Sequence, residues 1–224
     1  MRSSPSHTGD PCRLLRSTQD GYDQIAAQYA TVNAAMPPEV LASARRFLQL
    51  VGSRAHLLDL GCGPGRDMAW FESQGATVAG TDLSRRMLDL ARPRVRGHLV
   101  QMDLGRLGFP SICFHGVWCN ASLLHLPKRQ AALALSEIGR ILVPGGILFL
   151  AIQEGTEEAW ETSPYGTIER FFARYRQAEM ARLLSRSGFT VLETTANRTG
   201  SRYWLHFLAR AATSTAGRRS DGQS

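Results

Sequence analysis

The stretch Leu57-Leu58-Asp59-Leu60-Gly61-Cys62-Gly63-Pro64-Gly65 runs from apolar residues into three glycines at alternate positions, and a helical pattern begins near Arg66. Glycine admits positive φ and lets a ligand approach the backbone with no Cβ in the way. Such a loop can seat a bound molecule over the end of a strand; the plainer alternative is a tight strand-to-helix turn. Asp82, 21 positions after Gly61, ends a second apolar run, Val78-Ala79-Gly80-Thr81. Its two carboxylate oxygens suit the neighbouring hydroxyl donors of a ribose. Asp103 stands at the end of a third run. Either carboxylate alone reads first as a helix cap or a solvated side chain. Both together, at successive strand ends behind a glycine-rich turn, point to a nucleoside.

The rest of the loop narrows the choice of nucleoside. A dinucleotide fingerprint places a glycine where this chain has Arg66, which weakens a nicotinamide reading. Asp59, just before the loop, puts a negative charge near the ligand, unfavourable to a pyrophosphate and favourable to an ammonium or sulfonium group.

These residues need a scaffold, and short apolar runs alternating with helical patterns predict one: an α/β, Rossmann-like doubly wound sheet with helices on both faces. Seven strands are expected, at 55–60, 77–81, 97–102, 115–119, 147–152, 190–194 and 203–209. Helices are expected at 65–74, 85–91, 128–142 and 177–187, with two more, 22–30 and 39–50, before the first strand. Ser84 is placed to cap one helix, Pro127 to open the next and Gly188 to close the last. Only residues 196–202 join the final two strands. A linker that short makes an antiparallel hairpin, not a parallel crossover.

The chain has 224 residues, 43% hydrophobic and 20% charged, which suits one domain with a substantial core. That domain is expected over 21–210, with a flexible tail at 1–20 and another at 211–224. The first segment has no apolar core of a secretory signal, and no apolar run approaches the length of a membrane helix. A soluble, cytoplasmic protein without a membrane partner is expected, as a monomer or homodimer. Cysteines 12, 62, 113 and 119 include no C-x-x-C pair, and His7, His56, His98, His115 and His206 show no ligand spacing, so neither a disulfide framework nor a metal is expected. The formal net charge is +7, with Lys128 the only lysine. The arginine run at 85, 86, 92, 94, 96 and 106 includes Asp89 and Asp103, which reads as a solvated face before it reads as a nucleic-acid footprint.

Several separated motifs, arriving in order over roughly 22–210, resemble the class I S-adenosylmethionine-dependent methyltransferases, and among them the small-molecule, ubiquinone-biosynthesis-like members. Asp59 to Gly65 is similar to the family's first motif and Thr81-Asp82-Leu83-Ser84 to its second. Gln101-Met102-Asp103-Leu104 is similar to the third, Trp118 to Leu126 to the fourth, and Leu142-Val143-Pro144-Gly145-Gly146 to the turn before the fifth strand. Tyr22-Asp23-Gln24-Ile25-Ala26-Ala27-Gln28-Tyr29 resembles the leading helix of many small-molecule members.

The resemblance implies strand order 3-2-1-4-5-7-6, S-adenosylmethionine as cofactor and a small-molecule methyl acceptor. It implies that Gly61, Cys62 and Gly63 pass beneath the methionine part and that Asp59 acts on its ammonium. It further implies Asp82 on the ribose, Leu83 against the adenine with Met102 beside it, Asp103 on the adenine amino group, and a Leu104 backbone N–H to the ring. Asn120 faces the cofactor's amino group or is an ordinary turn residue. Tyr22 and Tyr29 share a helix face and close over the methionine end, or are packing residues. His125 is the candidate catalytic base, the alternative being an orienting role, and Glu154 is a second polar group at the mouth. The segment 155–172, with Trp160, Tyr165, Phe171 and Phe172, forms a lid or acceptor wall, or packs on the sheet edge.

Three rival readings remain at this level. One is a methyltransferase of tRNA or another nucleic acid, motivated by pI ≈ 9.8 and by Arg170 to Arg176, which resembles a stretch of some wobble-uridine enzymes. The others are an NAD-linked oxidoreductase and a cofactor-binding partner subunit without catalysis.

Overall fold

The computed structural model describes residues 11–52, 54–166 and 168–213. Of the tails expected at 1–20 and 211–224, residues 1–10 and 214–224 lie outside the described residues. In chain order the elements are α1 (Pro11–Val32), α2 (Pro38–Val51), β1 (His56–Leu60), α3 (Arg66–Ser73), β2 (Thr77–Asp82), α4 (Arg85–Ala91), β3 (Leu99–Gln101) and β4 (Phe114–Asn120). A 3-10 turn, Leu123–His125, follows; then come α5 (Lys128–Ile141), β5 (Leu142–Gln153), β6 (Glu158–Thr162), β7 (Glu169–Ala173), α6 (Gln177–Arg186), β8 (Phe189–Thr199) and β9 (Arg202–Ala211).

One sheet has the order β3-β2-β1-β4-β5-β9-β8. Pairing is parallel through β5 and antiparallel on both sides of β9. This is the expected order, with a two-residue turn at 200–201 joining the last hairpin. Strand order reverses between β1 and β4, so their C-terminal ends splay helices and loops apart and leave a crevice, the usual ligand position in an open α/β sheet.

Alternation along the strands separates two cores. Leu58, Leu60, Val117, Cys119, Leu148 and Leu150 face α5 and α6, whereas Leu57, Trp118 and Phe149 face α2 and α3. In the second core Trp118 stacks on Phe149 with ring centres 3.7 Å apart, and Phe47 and Phe71 meet Trp118 edge-on. Asp59 lies on this aromatic side, between Leu58 and Leu60.

The structure departs from the sequence-based expectation in two places. Residues 11–20, expected as a loose tail, are the first half of α1. Leu14, Thr18, Ile25 and Ala26 form a buried stripe on that helix, and its inner face includes Thr18 and Gly21, so apolar periodicity alone underreports it. The second departure is the β6–β7 hairpin, which forms a separate two-stranded sheet where no strand was expected. Its inner strand buries Arg170, Phe171, Phe172 and Ala173, while β6 stays partly exposed.

Helix ends hold the crevice in shape. Ser84 Oγ accepts the Met87 N–H at 3.1 Å, capping α4, and donates to Asp23 of α1. Asp23 also accepts the Arg86 N–H at 3.0 Å. The amphipathic α1 is thereby fastened across the start of α4.

Candidate active site

The loop after β1 is pinned from below: the Gly61 and Cys62 N–H groups both donate to the Thr81 carbonyl at 2.8 Å. Gly61 has φ +79, and a Cβ there would lie 2.0 Å from Ser122 Oγ, so only glycine fits. Gly63 has φ +53, and a Cβ there would meet nothing within 4 Å. The loop is therefore packed on one side and open on the other.

The open side borders two adjoining cavities that share Tyr29, Gly61, Gly63, Asn120 and Ala121. The first encloses about 820 Å³ with its mouth. Asp82, Leu83, Met102, Asp103 and Leu104 line it from the ends of β2 and β3, and Tyr22, Ser122 and His125 from α1 and the 3-10 turn. Leu14, Leu15 and Thr18, in the part of α1 expected to be a tail, line it too. The second spans about 880 Å³, its open mouth included, and takes Asp59, Cys62, Arg66 and Asp67. Every cofactor candidate from the sequence lies on one cavity or on both. Cys62 contributes mainly its backbone, because its thiol packs toward Gly80, where a Cβ would stand 3.0 Å from Sγ.

Acidic groups line the loop. Asp82 accepts the Gly63 N–H through Oδ2 and the Ser84 N–H through Oδ1, each at 2.8 Å. Burial pushes its carboxyl up to about 6, opposed by those N–H groups. Asp103 Oδ1 accepts from the Gly105 N–H at 2.9 Å. Asp59 is 2% exposed, and its Oδ2 has no hydrogen-bond partner among the described residues. Burial and the nearby Asp67 charge hold Asp59 well above the usual carboxylate range, with Arg66 opposing. A buried, unpartnered carboxylate oxygen beside a cavity is suited to a cationic hydrogen-bond donor.

Asn120 is engaged within the protein. Its Nδ2 donates to Asp67 Oδ2 at 2.8 Å, where the Trp118 indole also donates at 2.9 Å. Asp67 Oδ1 in turn accepts from Arg66 Nε at 2.6 Å. Arg66, read in the sequence only as the residue in place of a dinucleotide glycine, and Asp67, which the sequence did not single out, thus orient the Asn120 amide. Their signal was present only as a helix start.

The other wall is built from distant segments. His125 Nδ1 lies 2.8 Å from the Phe171 carbonyl, so it carries the proton and donates, leaving Nε2 to accept from the Tyr22 hydroxyl at 2.7 Å. Burial lowers His125 to about 4, so it is neutral at pH 7. Both ring nitrogens are occupied, so His125 reaches the cavity as the support of Tyr22. Tyr22 also accepts from Arg170 Nη1 at 3.3 Å, and burial raises its phenol. Burial raises Tyr29 as well.

Glu154 is exposed and lines neither cavity. Trp160, Tyr165, Phe171 and Phe172 likewise stand behind the wall, where the hairpin packs on α1 and on the 3-10 turn. In the arginine run, Arg85 pairs with Asp89 and Arg96 with Glu72.

Among known proteins, a family model described as "Methyltransferase domain" matches residues 58–150. Methyltransferase GfsG of Streptomyces halstedii is 38% identical over 103 residues, covering 42% of this chain and 36% of that protein. O-methyltransferase resE of Aspergillus sclerotiorum is 30% identical over 196 residues, covering 77% and 71%. The chain spans between about a third and a half of the first curated relatives that it matches. A similar solved structure is 1,6-didemethyltoxoflavin-N1-methyltransferase of Burkholderia thailandensis, bound to 1,6-didemethyltoxoflavin and S-adenosylhomocysteine. It has a TM-score of 0.75 and 23% identity, covering 95% of this chain and 93% of that one.

Proposed function

The chain belongs to the class I S-adenosylmethionine-dependent methyltransferase family, and from that premise we propose that it transfers a methyl group from S-adenosylmethionine to a small-molecule acceptor. When bound, the cofactor supplies an electrophilic methyl on a sulfonium, open to in-line displacement by the acceptor's nucleophile. The observation that carries this reading is the unpartnered, buried Asp59 Oδ2 beside a loop that is open at Gly63, between two cavities. It fits a ligand with a cationic end, and the strand-end carboxylates fit one with a ribose.

In this reading Asp59 takes the ammonium, with the Asn120 amide beside it held by Asp67. Gly61, Cys62 and Gly63 supply backbone under the methionine end, and Tyr29 lies over both cavities. Asp82 accepts from the ribose hydroxyls without giving up the Gly63 N–H, since each carboxylate oxygen has two lone pairs. Leu83, Met102 and Leu104 pack against the base, and Asp103 accepts from its amino group. Tyr22 faces the acceptor, and His125 fixes the direction of its hydroxyl. Alignment of this kind is the protein's main contribution to such a displacement.

The relatives support the reading by name, since both curated proteins above are methyltransferases. Calorimetry with S-adenosylmethionine, S-adenosylhomocysteine and NAD tests the cofactor, and mass-spectrometric detection of a methylated acceptor tests the transfer. Binding of the two sulfur nucleosides with no binding of NAD is expected; NAD binding alone would overturn the proposal.

A further inference from the structure

Arg170, on the inner strand of the β6–β7 hairpin, is 5% exposed. Buried guanidinium groups are normally paired with a carboxylate, because an uncompensated charge in the interior is costly. Arg170 has no such pair among the described residues. Its cross-strand neighbour in register, Glu161, is bound instead by Arg174 and Arg202. Among the described residues Arg170 Nε has no hydrogen-bond partner, and its Nη1 has the Tyr22 hydroxyl, at 3.3 Å. Its guanidinium carbon lies between 5.2 and 5.6 Å from the ring centres of Tyr22, Tyr165 and Phe172. Three aromatic faces temper the charge without neutralising it.

This cation stands one hydrogen bond behind the cavity wall formed by Tyr22 and His125. The carboxylates on that cavity are turned to backbone donors: Asp82 to Gly63 and Ser84, Asp103 to Gly105. The other cavity has its own guanidinium: Arg66 lines it, paired through Nε with Asp67, and it stands nearer than Arg170 to the loop proposed to seat the cofactor's amino-acid end.

We propose that the acceptor enters this site as an anion, a carboxylate or an ionised phenol or enol, whose negative charge is met across the Tyr22 wall by Arg170. The inference deepens the methyl-transfer reading and rests on it. The anionic oxygen forms a bond to the methyl carbon as the carbon–sulfur bond breaks, and that electron pair stays on sulfur. Anion and sulfonium become a neutral methyl ester or ether and a thioether, and no proton has to leave. A wall whose histidine has both nitrogens occupied then suffices, because there is no acceptor proton for it to remove.

The test uses the full chain with S-adenosylhomocysteine and two matched probe pairs, benzoate against benzamide and 4-nitrophenolate against 4-nitroanisole, followed by calorimetry. In each pair the anion is expected to bind at least about tenfold more tightly than its neutral partner. Arg170→Met removes that preference and Arg170→Lys keeps part of it, with the affinity for S-adenosylhomocysteine unchanged in both. Anions binding no more tightly than the neutral probes, including binding of neither, overturns the proposal. So does a preference that survives in Arg170→Met, or a tenfold loss of S-adenosylhomocysteine affinity there, which would assign the charge to the cofactor. Should Arg170→Met fail to fold, the wild-type ratios and Arg170→Lys decide. Failure of the wild type to bind S-adenosylhomocysteine would instead sink the methyl-transfer reading.

Discussion

The two walls of the crevice are made in opposite ways. The wall under the loop is backbone and carboxylate, drawn from the ends of β1, β2 and β3 within a span of about forty-five residues (Asp59 to Asp103). The facing wall is aromatic with a cation behind it, drawn from Tyr22 and His125 and backed by Arg170, each more than 40 positions from the next. The first depends on where the chain can turn, the second on which side chains stand behind one another. Damage should therefore be abrupt in the first wall and graded in the second.

The largest effect is expected from Gly61→Ala. A Cβ 2.0 Å from Ser122 Oγ at φ +79 must displace the loop or the turn after β4, and the left-handed conformation alone costs a non-glycine residue roughly 1–2 kcal/mol. S-adenosylhomocysteine affinity should fall at least about 100-fold by calorimetry, and Ser122→Gly should restore part of it. Asp82→Ala should cost about 1–3 kcal/mol of cofactor affinity through lost hydrogen bonds. Only the carboxylate accepts both ribose hydroxyls, and Asp82 is pushed up to about 6. Affinity should thus be level above pH 7 and weaken as pH falls through about 6, and Asp82→Asn should flatten that profile. An unchanged profile in Asp82→Asn would break the comparison at its acidic wall.

How much could be read in advance follows the same division. Gly61, Gly63, Asp82 and Asp103 announce themselves because one short motif contains both the turn and its reason. The strand order is legible too, since β1 to β5 alternate with helices and the last two strands are too closely joined for a crossover. The β6–β7 hairpin was not, because Glu158–Thr162 and Glu169–Ala173 carry polar residues on both sides of the pleat, Arg170 among the buried ones. Residues 11–20 read as a tail in the sequence because Thr18 and Gly21 interrupt the apolar stripe of α1 on the face that it buries. His125 was visible as a histidine after β4, but its two partners, 103 and 46 positions away, are a property of the packed molecule.

On the aromatic wall, His125→Asn should act on the acceptor alone. With Tyr22 released from Nε2, kcat/KM for the acceptor is expected to fall about tenfold, and cofactor affinity should stay as it was. The pH profile gives the sign of the role. Burial holds His125 near 4, so a supporting neutral imidazole leaves kcat flat between pH 6 and 8. A base titrating within that range would give a rising limb in the wild type that vanishes in His125→Asn.

The smallest effect belongs to the joint between the walls. Ser84 Oγ caps α4 behind Asp82 and donates to Asp23 on the helix that carries Tyr22. Ser84→Ala loses both bonds and should cost about 1 kcal/mol, seen as a fall in Tm of roughly 2–4 °C for a chain of this size. Ser84→Asp separates the two roles, because an aspartate caps α4 as well as a serine does but sets a second carboxylate against Asp23. If the bond to α1 matters only as part of the cap, Ser84→Asp should be as stable as the wild type. If it fastens the helix over the crevice, Ser84→Asp should lower Tm at least as far as Ser84→Ala and weaken binding at both walls, through Asp82 on one side and Tyr22 on the other.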